Sequence, residues 1–172
     1  IDKWMDEIRR APREFEADLS ACLALLHHSV QNLEDLPEAQ LSEDQPDYDR
    51  AKDIIEARVG SEYQLAGLYT GMLRRLGYAA TVFHAPSRED GPFLPQWENT
   101  TQFALCGTAV RDPDGKIHWV FPGYAASTTR TVPWMGQAGT VLLEKPGDEP
   151  KGDPFPRFGD LPLAQAVDNR ID

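Results

Sequence analysis

Only two cysteines, Cys22 and Cys106, occur among the 172 residues. Two thiols cannot build a disulfide framework or a cysteine-based zinc site. Basic side chains are also scarce. Lys and Arg number 17 against 28 Asp and Glu, a formal net charge of −11 with a pI near 4.7. No basic footprint exists to displace counterions from phosphates, so a general nucleic-acid binder is excluded. Anionic lipid is an equally poor match. Long apolar runs are missing too: nothing approaches the roughly 18 residues of a membrane span, and direct membrane insertion is not expected. No internal repeat is visible. What the chain does have is core material: 41% hydrophobic residues, with four Trp, five Tyr and seven Phe. That composition suits one folded domain.

The acidity is uneven. Residues 1–62 hold 16 acidic and 7 basic side chains, residues 63–172 hold 12 and 10. Seven of the acids fall between Glu34 and Asp49 without one Lys or Arg. Calcium needs carboxylates at alternating positions and a turn Gly, and Asp44, Asp47 and Asp49 offer neither. The stretch reads as a solvated loop, with no metal site and no cofactor motif elsewhere. Pro146, Pro150, Pro154, Pro156 and Pro162 crowd the C-terminal segment, which reads as an extended strap or linker leading to a following module.

Helical periodicity dominates the first half. Trp4, Ile8 and Ala11 share one face before Pro12. Phe15, Leu19, Cys22, Leu23, Leu26 and Val30 then form a stripe that predicts a helix over 13–34. Cys22 lies on that stripe as a small core side chain. His27 and His28 are adjacent and fall on different faces, so they cannot chelate as an i, i+4 pair would. A short helix follows over 49–58 and stops at Gly60. Ser61 with Gln64 is a capping box, and Leu65, Leu68, Met72, Leu73 and Leu76 continue its helix. The segment 62–76, ended by Gly77, reads as a buried central helix.

After Gly77 the period changes to two. Residues 78–84 read as a strand and 85–101 as a long loop with three prolines. Strands 103–111 and 116–121 flank Asp112-Pro113-Asp114-Gly115, a hairpin signal. One more short strand fits 139–144. Helices followed by an antiparallel sheet give an α+β class. If the hairpin closes through a bulged Asp112–Lys116 turn, Leu105, Gly107, Ala109, Ile117, Trp119 and Phe121 share one apolar face. Cys106, Thr108, His118 and Val120 then share the opposite, outer face.

The run Arg58-Val59-Gly60-Ser61-Glu62-Tyr63-Gln64-Leu65-Ala66, continued through Leu73-Arg74-Arg75-Leu76-Gly77-Tyr78-Ala79-Ala80, resembles the core of bacterial transglutaminase-like domains. There a Gly-Asp-Cys turn opens a helix that ends in a Leu-Gly-aliphatic-x-Ala strand start. Gln102-Phe103, the segment Ala109 to Lys116, and Trp119-Val120-Phe121-Pro122 resemble the family's hairpin and its Trp-x-Asp-Pro segment. The resemblance covers 55–145 well and the N-terminal helices more loosely. It implies a papain-like core over 59–145, preceded by helices over 1–58, as one domain of residues 1–145 with the strap at 146–172. It also implies a module of a longer bacterial protein, exported to the periplasm or beyond.

Active members of that family use a Cys–His–Asp triad, the thiolate forming at the N-terminus of the central helix. Carried over, the three positions fall on Glu62, Leu105 and Phe121. None of these completes a nucleophile–base pair, so the expectation is a degenerate, catalytically inactive domain. It would act by non-covalent binding or scaffolding, toward flanking domains of its own polypeptide or toward a protein, peptide or sugar. Glu62, Tyr63, Trp97 and Trp134 are the candidate binding residues. Partial burial of Glu62 would raise its pKa. Equally, a carboxylate in a first helical turn is favoured by the dipole with no function attached. The alternative is a cysteine-dependent hydrolase or acyltransferase with a relocated site, Cys106 and His118 meeting across the hairpin.

Overall fold

The computed structural model describes residues 6, 14–37, 51–90, 94, 102–136 and 141–144. The N-terminal face of Trp4, Ile8 and Ala11, most of the acidic stretch, Trp97 and the strap 146–172 lie outside the described residues. The architecture is mixed α+β, with helices on an antiparallel four-stranded sheet. Among the described residues no helix is long and apolar enough to cross a membrane.

Helix α1 spans Phe15–Ser29 and buries Leu19, Cys22, Leu23 and Leu26. His27 is half-buried and His28 exposed. Strand β1, Gln31–Asn32, runs parallel to β2, Val59–Gly60, which follows helix α2 at Ala51–Ala57. Arg58 leaves α2 with φ +61. Helix α3 is Glu62–Arg75, and both halves of the Ser61–Gln64 capping box are formed. Gly77, at φ +93, turns the chain out of the helix, a conformation glycine adopts without a Cβ penalty.

The sheet has the order β5-β4-β3-β6, with β3 at Ala80–Ala85, β4 at Leu105–Arg111, β5 at Ile117–Val120 and β6 at Leu142–Leu143. The hairpin closes as a bulged turn, Asp112 N–H donating to Lys116 O at 2.9 Å. Arg111 then faces Ile117, and Thr108 faces Val120. This register sorts the residues into the two expected faces.

Each face is covered, however, because each is apolar enough to nucleate a core. Val110, Val120 and Ala80 pack with Leu65, Leu68, Tyr69, Met72 and Leu73 of α3 and with the stripe of α1. Thr108 joins that side through its hydroxyl, which donates to Ala66 O at 3.1 Å and lies 3.0 Å from the Thr70 hydroxyl. The other face buries Phe83, Ala85, Leu105, Ala109 and Phe121 with Val132, and Trp119, Tyr124, Met135 and Leu143 close around them. The face of Cys106 and His118 is therefore the helix-packed side of the sheet and not an outer one.

Candidate functional site

The N-terminus of α3 meets the start of β4. Helix capping places Glu62 in the first turn with its side chain toward the sheet, and only 5% of it is exposed. Its Oε1 accepts the Cys106 N–H at 2.7 Å. The turn after β5 closes over it: a Cβ on Gly123 would stand 2.5 Å from Glu62 Cγ. That turn is held in place by Asn32, whose amide donates to Gly123 O at 2.9 Å, and by His27, whose Nε2 donates to Pro122 O at 2.9 Å. Burial, opposed by the Cys106 N–H, pushes the Glu62 carboxyl up to about 7.

The three positions of the resembled triad do not converge. Leu105 and Phe121 belong to the second core, on the sheet face away from α3, where Phe121 packs edge-on against Phe83 at 5.1 Å. A Cβ on Gly136 would meet Phe121 at 2.8 Å, so that side is filled. Strand alternation turns residue 106, and not 105, toward the helix, so Leu105 and Phe121 lie on the sheet face away from α3.

Cys106 and His118 do not meet either. The register sets His118 opposite Val110, and Cys106 opposite His84. The His118 Nε2 pairs with Asp112 Oδ2 at 2.8 Å and its ring packs on Phe15. This pairing, which holds Asp112 below the ordinary carboxylate range, ties the hairpin turn to its own strand.

The actual neighbour of the thiol is His84. Cys106 Sγ lies 3.3 Å from His84 Nδ1, and His84 Nε2 lies 2.8 Å from Glu144 Oε1. The hydrogen bond with His84 is the main cause that lowers the Glu144 pKa, and the Tyr63 hydroxyl is a second donor to it. Tyr63 also stacks on the imidazole, with centroids 5.7 Å apart and planes 20° from parallel. Burial first, then the charges of Glu62, Glu144 and Glu34, push the Cys106 thiol up to about 12. The thiol is therefore neutral at physiological pH.

Of the expected binding residues, Tyr63 is 48% exposed and Trp134 57% exposed. Trp134 lies in the 3-10 turn Trp134–Gly136, whose Gly136 packs on the Phe121 side of the sheet, whereas Tyr63 belongs to the helix side. Among the described residues no group of three or more His, Cys, Asp and Glu side chains is arranged to hold a metal ion.

Compared with protein-family models, curated proteins and solved structures, the chain finds no match in any of the three.

His84 and Glu144 were the residues that sequence reasoning missed. The period-two pattern of β3 places His84 on the same face as Val82, and that much is legible. Its partner across the sheet depends on a register set beyond the long loop after β3. Glu144 arrives 60 residues after His84 by the pairing of β6 with β3. No local signal announces that pairing.

Proposed function

We propose that the chain is a transglutaminase-like domain that has lost the family's own triad. It serves an exported bacterial polypeptide as a non-covalent binding or scaffolding module. The observation that carries this reading is Glu62. At the helix terminus where the family's thiolate would form stands a buried carboxylate, closed over by Gly123 and bonded to the Cys106 N–H. A carboxylate held in this way does not replace a thiolate nucleophile. The placement of a capped central helix against the start of an antiparallel strand supports the papain-like core.

With the inner cleft closed at Glu62, recognition falls to the surface. Tyr63 on one side of the sheet and Trp134 on the other offer aromatic faces to a flanking domain, a peptide or a sugar. The net charge of −11 disfavours phosphate-bearing ligands.

The test is to rebuild the missing pair as Glu62→Cys with Cys106→His. Position 106 shares the helix-facing side of β4 with Thr108, whose hydroxyl reaches Ala66 O of α3, and its N–H meets Glu62. On a transglutaminase-like core the new thiol sits at a helix N-terminus beside an imidazole, so it titrates below the ordinary value of about 8.5. The readout is the ultraviolet absorbance of its thiolate against pH, which needs no reagent to enter the closed site. The unmodified chain incorporates no amine into a glutaminyl peptide. An ordinary thiol in the double variant overturns the transglutaminase-like geometry. Amine incorporation by the unmodified chain overturns the loss of activity.

A further inference from the structure

We propose that Cys106, His84 and Glu144 form a thiol acyl-transfer centre that takes an uncharged or cationic ester or thioester. It needs neither the family resemblance nor the triad positions carried over from it, and it stands on the order of three side chains.

The carboxylate fixes the tautomer. Glu144 can only accept, so His84 Nε2 carries the proton at 2.8 Å, and Nδ1 is left as a lone pair facing Cys106 Sγ at 3.3 Å. Tyr63 holds the ring from its flat side and donates to the same carboxylate. Nucleophile, base and orienting acid thus stand in the order that general-base activation requires. The residues come from three separate segments: β3, β4 and the end of β6. Cys106 and His84 are both partly exposed, with 23% of the His84 side chain open to solvent.

The electrostatics decide the form of the reaction. Burial and the surrounding carboxylates keep the thiol protonated, so no thiolate–imidazolium pair stands ready. The proton must leave as the bond forms, in the manner of a serine hydroxyl. Cys106 Sγ attacks the acyl carbon, and the S–H proton passes to His84 Nδ1. The tetrahedral adduct then expels an alcohol or thiol, which takes that proton. Cys106 is left as a thioester. Water, activated by the same imidazole, releases a carboxylic acid and restores the thiol. No electron changes hands and no further reactant is required. Glu62, Glu144 and Glu34 all raise the thiol pKa by their charge, and the same charges repel an anionic acyl donor.

The experiment uses the intact chain with 4-nitrophenyl acetate, followed by release of nitrophenolate and by mass mapping of the acetyl group. Acetylation is expected on Cys106. It is expected to be lost in Cys106→Ala and slowed about 100-fold or more in His84→Gln. The anionic 4-nitrophenyl hydrogen succinate should react more slowly than the acetate, relative to free glutathione. A second measurement guards against a variant that misfolds. In the unmodified chain the acylation rate should level off with rising pH once the base has lost its proton. Among the described residues Glu62, Tyr63, Tyr124, Glu144 and Glu34 are the other titratable groups around the pair, and Glu62 releases its proton near 7. The profile is therefore repeated in Glu62→Gln, where the plateau should persist. A rate that climbs steadily with pH and reaches no plateau reports unassisted thiolate and overturns the proposal. So does acetylation elsewhere than Cys106, or full-rate acetylation in a folded His84→Gln. In those cases the trio only ties β3, β4 and β6 together.

Discussion

At the residue scale, Glu62 is where position and energetics conflict most. The helix dipole favours a carboxylate in the first turn, but burial costs more than the dipole and the Cys106 N–H return. The folded chain releases the proton near 7, while an unfolded chain releases it near 4.5. Between those values the native state holds more protons, so stability falls as pH rises and the loss is complete above about 7. A shift of that size corresponds to about 3 kcal/mol. Glu62→Gln keeps an acceptor for the Cys106 N–H and removes the charge. Urea titrations are expected to show the variant more stable than the unmodified chain at pH 8, by about 1–3 kcal/mol, and equal to it at pH 4. A less stable variant at pH 8 would mean that the ionised carboxylate is fully satisfied where it stands. The first-turn place of Glu62 is legible from the capping box, whereas the burial that raises its pKa comes from the Gly123 turn and the start of β4. The identity of its neighbour is not legible, because residue 105 or 106 faces the helix according to which sheet face α3 takes. The sequence marks the face of Leu105, Ala109 and Phe121 as core and the face of Cys106 as outer, whereas α3 packs on the latter through Val110 and Val120. The competition was decided by packing.

At the scale of elements, α3, its cap and the β4–β5 hairpin were written in local chemistry: Ser61 with Gln64, Gly77, and the Asp112 to Gly115 turn. The pairing of β6 beside β3 and the second core depend on contacts between distant segments, which no local pattern encodes. Gly107 shows how tightly that second core closes on the sheet. A Cβ there would lie 2.5 Å from Phe83 Cζ and 2.6 Å from Val120 O. Phe83 cannot easily yield, since it is held edge-on by Trp119 at 5.0 Å and by Phe121 at 5.1 Å. The Val120 carbonyl is backbone and has no rotamer to change. Gly107→Ala should therefore destabilise the fold by about 1–3 kcal/mol or more through overpacking. Near-UV circular dichroism should lose aromatic signal from Trp119 with it. An alanine variant of unchanged midpoint and unchanged spectrum would show that the two aromatic contacts are loose.

At the scale of the whole molecule, charge is the property that acts everywhere at once. The chain carries −11, and residues 1–62 account for −9 of it. The ion pairs of Glu16 with Arg130 and of Lys52 with Glu56 are exposed and contribute little. Folding concentrates the excess acids into a smaller volume, so their repulsion works against the native state. At about 0.01 M salt the screening length is roughly 30 Å, enough for acids on opposite sides of a small domain to repel one another. At about 0.15 M it shrinks to roughly 8 Å, and only near neighbours still interact. The thermal midpoint should accordingly rise with sodium chloride over that interval, by a few degrees, before any salting-out effect enters. Scanning calorimetry at fixed pH measures it directly. A midpoint that stays flat or falls would mean that attractive pairs such as Glu16 with Arg130 outweigh the general repulsion. The same field sets the sign of a partner. If the proposed docking of a flanking domain or peptide holds, the partner should bring positive charge and its association rate should fall as salt rises, opposite in direction to the chain's own stability.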